Sequence, residues 1–360
     1  MKCIDESYKI FEIPNISTQS ELFKYLQNIG ELCCKQLPEM NIYHYIKYLA
    51  NPDSNSRINI LDHIIVAFEV SKEIYDDIID HKSIDNPKNY QLQFYVKQII
   101  TTEWVKDDKT IRYIISAPIS VFTNVWKDNI FGYNNSNGFI KLCHWIAIAY
   151  PELVTNYHNH HIISNPGIKF ITNSEMQQMP KEIRMAHGYI TIRLTMNCSD
   201  INQISRNRSL LTSLSTAEEY DISNDPCSFI IPSEFDESND ATVIRTYPIE
   251  DILSTIDENP FGLQKATIKW LKLCKKASAL YNYYVNSCNH NANRARTIMP
   301  HSASSSIIIT MRNAQWISFF NKYINDSYPD IRDISKEILK DFNKVKPELF
   351  CDCMNLIKED

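Results

Sequence analysis

Arg206-Asn207-Arg208, Arg296 and Arg332 give the C-terminal half of this 360-residue chain a set of guanidinium groups suited to gripping an oxyanion. Arginine presents a fixed fork of N–H donors that matches the oxygens of a phosphate or carboxylate two at a time. Gln203 lies three residues before Arg206, so the two share a helix face. Arg208 points about 200° away from Arg206 on a continued helix and so begins the following loop. Thr212, Ser213, Ser215 and Thr216 follow, with hydroxyls able to complete a phosphate site. The same segment also suits a solvated helix end, where cations favour the dipole.

Composition narrows what these arginines serve. The net charge is −6, without the basic excess of an extended nucleic-acid binder, so any anion site is local. With 6 glycines and no GxGxxG or GxxxxGK[ST] string, phosphates have to be held by side chains and helix N-termini. The 10 cysteines are scattered and form no paired CxxC set at zinc spacing, which predicts reduced thiols and no metal centre. His158, His160 and His161 crowd one segment without a matching acid or thiol pattern and read as a solvated turn. His290 and His301 flank Arg294 and Arg296 and read as surface or core residues, and Glu73, Asp76, Asp77 and Asp80 as a solvated helix face. No apolar run reaches the roughly 18–20 residues of a membrane span, and the N-terminus lacks an apolar signal region. The expected setting is the cytoplasm, a host's cytoplasm for a virally encoded chain, with no membrane partner.

Several elements are needed to position these residues. Apolar periodicity predicts a helix over 20–50, a strand over 64–70, and a helix over 72–82 capped by Ser71. A strand over 111–115 feeds an amphipathic helix through Val121, Phe122, Val125 and Trp126, and another helix spans 139–150. In the second half a strand over 189–194 leads through Asn197 into a helix ending near Arg208. A polar loop over 223–242 follows, then a helix over 263–284, a strand over 307–310, and helices over 316–323 and 332–342. Trp316, Phe319, Phe320 and Tyr323 have the spacing of a buried helix face. Both halves read strand, cap, helix, gap, strand, helix, then a Tyr-Pro-acid turn. Laying 66–70 on 192–196 puts Asp80-His81-Lys82 on Arg206-Asn207-Arg208, and Ile115-Ser116-Ala117 falls on Ile309-Thr310-Met311. This points to two tandem repeats, 1–175 and 176–360, in an α+β architecture with helices on a mostly antiparallel sheet.

Residues 180 to 345 resemble the flavin-dependent thymidylate synthases, the ThyX family. Their Arg-His-Arg, seven residues, Ser signature is similar to Arg206-Asn207-Arg208, seven residues, Thr216. His187 stands at the family's strand-head histidine and Gln203 at its glutamine. Ala295-Arg296-Thr297-Ile298-Met299-Pro300 resembles its Ala-Arg-x-x-Leu-Pro segment, and Ile331-Arg332 its final Ile-Arg.

The resemblance implies a subunit fold that forms homo-oligomers, dimers or tetramers, with shared active sites. It implies reductive methylation of dUMP to dTMP, or a related one-carbon transfer to a deoxyuridine nucleotide. FAD would be the cofactor, with NADPH and methylenetetrahydrofolate as co-substrates. Carried over by position, Gln203, Arg208, Arg296 and Arg332 would hold the nucleotide, and Arg206, Asn207 and Thr216 would form the catalytic signature. His187, Thr191 and Arg312 would lie on the flavin side. The departures are Asn207 for the central histidine, Glu218 and Glu219 in the Ser-x-Arg-Tyr continuation, Asn293 for an acid, and no Asn-x-Arg after Thr310. Asp80-His81-Lys82 lacks both arginines, which makes the first half structural. A non-catalytic homologue acting as a nucleotide-binding or assembly subunit is the alternative.

Overall fold

A computed structural model describes residues 1–14, 19–33, 60–83, 90–106, 109–127, 138–154, 167–206, 211–215, 227–288 and 295–357. Asn207, Arg208, Thr216, Glu218, Glu219, Asn293 and the histidines 158, 160, 161 and 290 lie outside them.

The strands are β1 (Lys2–Ile4), β2 (Ser7–Phe11), β3 (Ile65–Val70), β4 (Ile100–Val105), β5 (Ile111–Pro118), β6 (Ile168–Phe170), β7 (Tyr189–Asn197), β8 (Leu211–Ser215), β9 (Ser228–Ile230) and β10 (Ser304–Arg312). They form two four-stranded sheets, β4-β5-β3-β6 and β2-β7-β10-β8, and the small pair β1-β9. All neighbours in the four-stranded sheets are antiparallel, while β1 and β9 run parallel.

The helices are α1 (Gln19–Cys33), α2 (Lys72–Ser83), α3 (Tyr90–Val96), α4 (Ile119–Lys127), α5 (Gly138–Ala149), α6 (Asn173–Gln177), α7 (Lys181–His187), α8 (Cys198–Ser205), α9 (Asp240–Thr246), α10 (Ile249–Ser254), α11 (Lys265–Asn286), α12 (Asn313–Tyr323), α13 (Pro329–Val345) and α14 (Pro347–Phe350). The chain is therefore α+β, with helices flanking mostly antiparallel sheets.

The local chemistry explains the boundaries. Ser71 Oγ accepts from Ile74 N at 3.5 Å to cap α2, and Asn197 Oδ1 accepts from Asp200 N at 2.9 Å to cap α8. α8 stops at Ser205 rather than near Arg208, and the described part of the helix expected over 20–50 stops at Cys33. The loop expected over 223–242 contains β9 and the start of α9. Periodicity missed β2, β4, β6 and β8, which are short or lie at sheet edges.

Apolar faces join the sheets to their helices. One cluster packs β3, β5, α1, α4 and α5, and includes Ile308 of β10. Another joins β7 and β10 to α12 and α13 around Trp316, which is 0% exposed. The Trp316 ring stacks on Phe320 at 5.8 Å and meets Phe342 edge-on at 4.9 Å. Trp316 Nε1 donates to the Ile190 carbonyl at 3.1 Å, tying α12 to β7. The division at residues 175 and 176 does not coincide with the sheets, since β2 is the edge strand of the second sheet.

Replacing Trp316 with Ala removes this anchor and leaves a cavity between α12, α13 and β7. The expected cost is about 3–5 kcal/mol, read as a lowered urea midpoint. A loss below about 1 kcal/mol would mean that the cluster does not hold the sheet.

Candidate functional site

The residues singled out by sequence fall at opposite ends of β7. His187 lies just before the strand, Gln203 lies on the helix that follows it, and Arg206 is that helix's C-cap. At about 3.3 Å per residue, strand β7 alone separates its two ends by roughly 26 Å.

At the C-terminal end of β7, Asn197 Nδ2 donates to Asp200 Oδ2 at 2.6 Å and to Asp330 Oδ2 at 3.5 Å. Arg332 sits in the same first turn of α13 as Asp330, half-exposed, with Nε 3.1 Å from Asp333 Oδ1. Arg296 is exposed at the head of a short 3-10 turn, Arg296–Ile298, and its charge reaches the thiol of Cys198 at the start of α8. Arg296 and Arg332 therefore flank the start of α8. Arg206, exposed, and Gln203, half-buried, lie at its far end, roughly 12 Å along the axis by helical rise.

Three carboxyl groups also occupy this end. Ligand oxygens of Glu6, Asp200 and Asp330 lie within 4.8 Å of one another. Burial first, then the neighbouring Asp330 and Asp200 charges, push the Glu6 carboxyl up to about 9, so at neutral pH it holds a proton and bonds Asp330. Burial pushes Asp200 up to about 6, against the Asn197 hydrogen bond. Glu6 Oε1 is buried with no partner among the described residues. The cluster escaped sequence reasoning because its members come from three distant segments with no spacing rule between them.

In the middle of the strand, Thr191 is 0% exposed. Its Oγ1 lies 2.8 Å from the Tyr25 hydroxyl and 2.8 Å from Thr310 Oγ1, which in turn lies 2.7 Å from His63 Nδ1. Burial draws the His63 imidazole down to about 3, so it stays neutral.

At the N-terminal end, His187 Nδ1 lies 2.8 Å from Ser116 Oγ and Nε2 lies 2.8 Å from Thr102 Oγ1. Burial, with the Arg312 charge adding to it, draws this imidazole down to about 4. Arg312 ends β10, and burial lowers its guanidinium to about 10. Its Nε and Nη2 are buried with no hydrogen-bond partner among the described residues. Lys82 donates to Thr101 Oγ1 at 3.2 Å, and burial and the Arg312 charge lower its ammonium.

A small cleft opens beside His187, lined among others by Arg184, Tyr189, Asn313, Asn173 and Lys346. Gly188 stands at its edge, where a Cβ would come within 2.6 Å of both Arg184 O and Asn313 Nδ2, so the close approach of α7 and α12 requires glycine there.

Of the three residues aligned with the flavin side, His187 and Thr191 thus have their polar side-chain atoms bonded within the protein and do not fit as contacts to an added group. Arg312 keeps free donors and does fit.

The acid cluster fixes a pH response. A carboxyl whose folded value lies above its unfolded one contributes stability that is fully present below about 4.5 and lost as pH rises through about 9. Glu6→Gln mimics the protonated state, so its stability should match the parent at pH 5 and exceed it at pH 9. Denaturant titrations across that range check this, and parallel curves for the two proteins would exclude a protonated Glu6.

The family model described as thymidylate synthase complementing protein, Thy1, matches residues 172–348. No curated protein matches the chain by sequence. Among solved structures, ThyX from Helicobacter pylori with FAD and dUMP is 12% identical, covering 46% of this chain and 72% of that one, with a TM-score of 0.32. A UMP/dUMP methylase PolB from Streptomyces cacaoi, bound with 5-Br dUMP, is 15% identical, covering 49% of this chain and 77% of that one, with a TM-score of 0.35. Residues 172–348 of this chain are thus similar, as a divergent match, to the thymidylate synthase complementing protein family.

Proposed function

We propose that the chain is a thymidylate synthase-like protein that binds a dUMP-like nucleotide and methylates it. The observation that supports this reading most directly is the family match over 172–348, which spans Gln203, Arg206, Arg296 and Arg332. Gln203 and Arg206 belong to the end of α8, Arg296 opens the 3-10 turn and Arg332 lies in the first turn of α13, which is compatible with this reading.

In this reading Gln203, Arg208, Arg296 and Arg332 hold the nucleotide, and Arg206, Asn207 and Thr216 form the catalytic signature. Exposed guanidinium groups suit a phosphate that arrives from solvent. FAD, when bound, supplies the hydride, with NADPH as reductant and methylenetetrahydrofolate as carbon donor. Arg312 is the residue with donors to offer that cofactor.

A second reading is favoured by the flavin side. His187 and Thr191 are closed off by Ser116, Thr102, Tyr25 and Thr310. A homologue that keeps the nucleotide grip without the flavin reaction would act as a nucleotide-binding or assembly subunit.

Two measurements separate the readings. The enzyme reading expects a yellow protein with near-equimolar flavin and a melting temperature raised by dUMP. The subunit reading expects the dUMP shift from a colourless protein that takes up no FAD. If neither FAD nor dUMP binds, both readings fall. Arg296→Ala should weaken dUMP binding by about 1.5–3 kcal/mol, as for a charged hydrogen bond. Unchanged affinity in calorimetry would remove Arg296 from the site.

A further inference from the structure

The two four-stranded sheets have the same order once their strands are matched by register. β3 corresponds to β7, β5 to β10, β4 to β8, and β6 to β2. In the first sheet Ile65 pairs with Pro118 and Ala67 with Ser116; in the second Tyr189 pairs with Arg312 and Thr191 with Thr310. Ser116 and Thr310 thus occupy the same place. The next strands out agree as well, since Ile100 faces Ser116 and Leu211 faces Thr310.

The elements around the strands follow suit. A short helical turn ends in a histidine two residues before each central strand, His63 before Ile65 and His187 before Tyr189. The residue between accepts a backbone bond from the first residue of the helix after the matching strand. Ile119 N donates to Ile64 O at 2.8 Å, and Asn313 N donates to Gly188 O at 2.9 Å. The N-caps Ser71 and Asn197 agree too, although β7 starts two residues earlier relative to its helix than β3 does. Matched at the strand starts, Ile65 with Tyr189, the two chains of elements set His63 on His187.

Three features are exchanged between the units rather than kept within them. With the units meeting between Leu153 and Ile168, β2 at the front of the first unit is the edge strand of the second sheet, and β6 at the front of the second unit is the edge strand of the first. His63 bonds Thr310 of the second sheet, and His187 bonds Ser116 of the first. The turn before β3 packs on β8, and α7 packs on β4. A shared sheet order alone is common among α/β segments. Reciprocal exchange of a strand, a histidine bond and a helical contact at matched positions is what a two-fold-related pair produces.

We infer that the chain is a fused pair of one structural unit, in which each unit lends an edge strand and a histidine to the other across a buried seam. The occupant of that seam is the chain's own second unit. The seam positions that a homodimer would hold in trans are here held in cis.

Fusion has let the two equivalent places diverge. Pro118 stands where the second unit has Arg312, and Ala67 where it has Thr191. The His63 place is filled by Tyr25 and Thr191. The His187 place faces Arg312, with Lys82 within reach of its charge. This inference does not depend on the nucleotide reading, and its test uses no nucleotide.

The full chain is folded with a protease site inserted after residue 160 and then cut. The two fragments are expected to elute together at the size of the uncut chain and to part only in denaturant, because each sheet holds a strand of the other fragment. Fragments that separate on a native column would overturn the inference. A second measurement uses melting temperatures of the uncut chain. His63→Ala should be non-additive with Thr310→Val, and His187→Ala with Ser116→Ala. His63→Ala should be additive with Ser116→Ala, and His187→Ala with Thr310→Val. Coupling within the units and none across them would overturn it equally, and conservative His→Gln variants serve if an alanine variant does not fold.

Discussion

The imidazoles of His63 and His187 are 0% and 1% exposed, and neither has its bonding hydroxyl in its own sheet. A buried polar group left without a partner costs about 1–3 kcal/mol. Each imidazole is therefore neutral and tied to a hydroxyl on the opposite sheet, which fixes the position of one sheet against the other. A slip of one residue in β5 or β10 would turn Ser116 or Thr310 to the other face. Either slip would take a hydroxyl from one of the two histidines and expose the apolar row that fills the core. The Thr191–Thr310–His63 chain and the Tyr25 contact depend on the same register. So do Trp316 and the α12–α13 layer, which are hung from β7 through the Ile190 carbonyl.

This closure divides the chemistry of the molecule. The histidines and hydroxyls in the seam are neutral and bonded to one another, with Arg312 as the charged group beside them. The arginines at the C-terminal end of β7 are exposed or half-exposed, and what pairs Arg332 is an ion pair with Asp333 on the surface. The two ends therefore differ in what a ligand would have to displace, beyond the distance between them.

Much of this was legible in the chain. The central strands, the caps at Ser71 and Asn197, and the buried face of Trp316, Phe319, Phe320 and Tyr323 follow from periodicity and capping rules, and all are found. Edge strands were not legible. β6 has three residues and β2 has five, too few for alternation to stand out, and their partners lie more than 90 residues away. The arginines could be found because a spaced motif carries them. The state of His187 and Thr191 could not, because it depends on Ser116, Thr102 and Tyr25, which only the tertiary fold brings near. Glu6 was equally hidden, since its raised carboxyl depends on Asp200 and Asp330.

The energies decide which of the two ends remains open to an anion. An exposed ion pair such as Arg332–Asp333 contributes about 0–1 kcal/mol, so a phosphate can replace Asp333 at little cost. Glu6, protonated at neutral pH, adds no negative charge beside the arginines, while Asp200, Asp330 and Asp333 remain among the acids a phosphate would face there. At the other end, freeing His187 breaks one buried and one part-buried hydrogen bond and leaves Ser116 and Thr102 without it. At about 1–3 kcal/mol for each buried group left unsatisfied, that exceeds the cost of exchanging the surface pair several-fold. Arg312 is the exception at that end, because its unpartnered nitrogens gain from any acceptor that reaches them. A ligand spanning both ends would have to meet an exchangeable grip at the arginines and a fixed wall at His187, with Arg312 as the point of purchase on that wall.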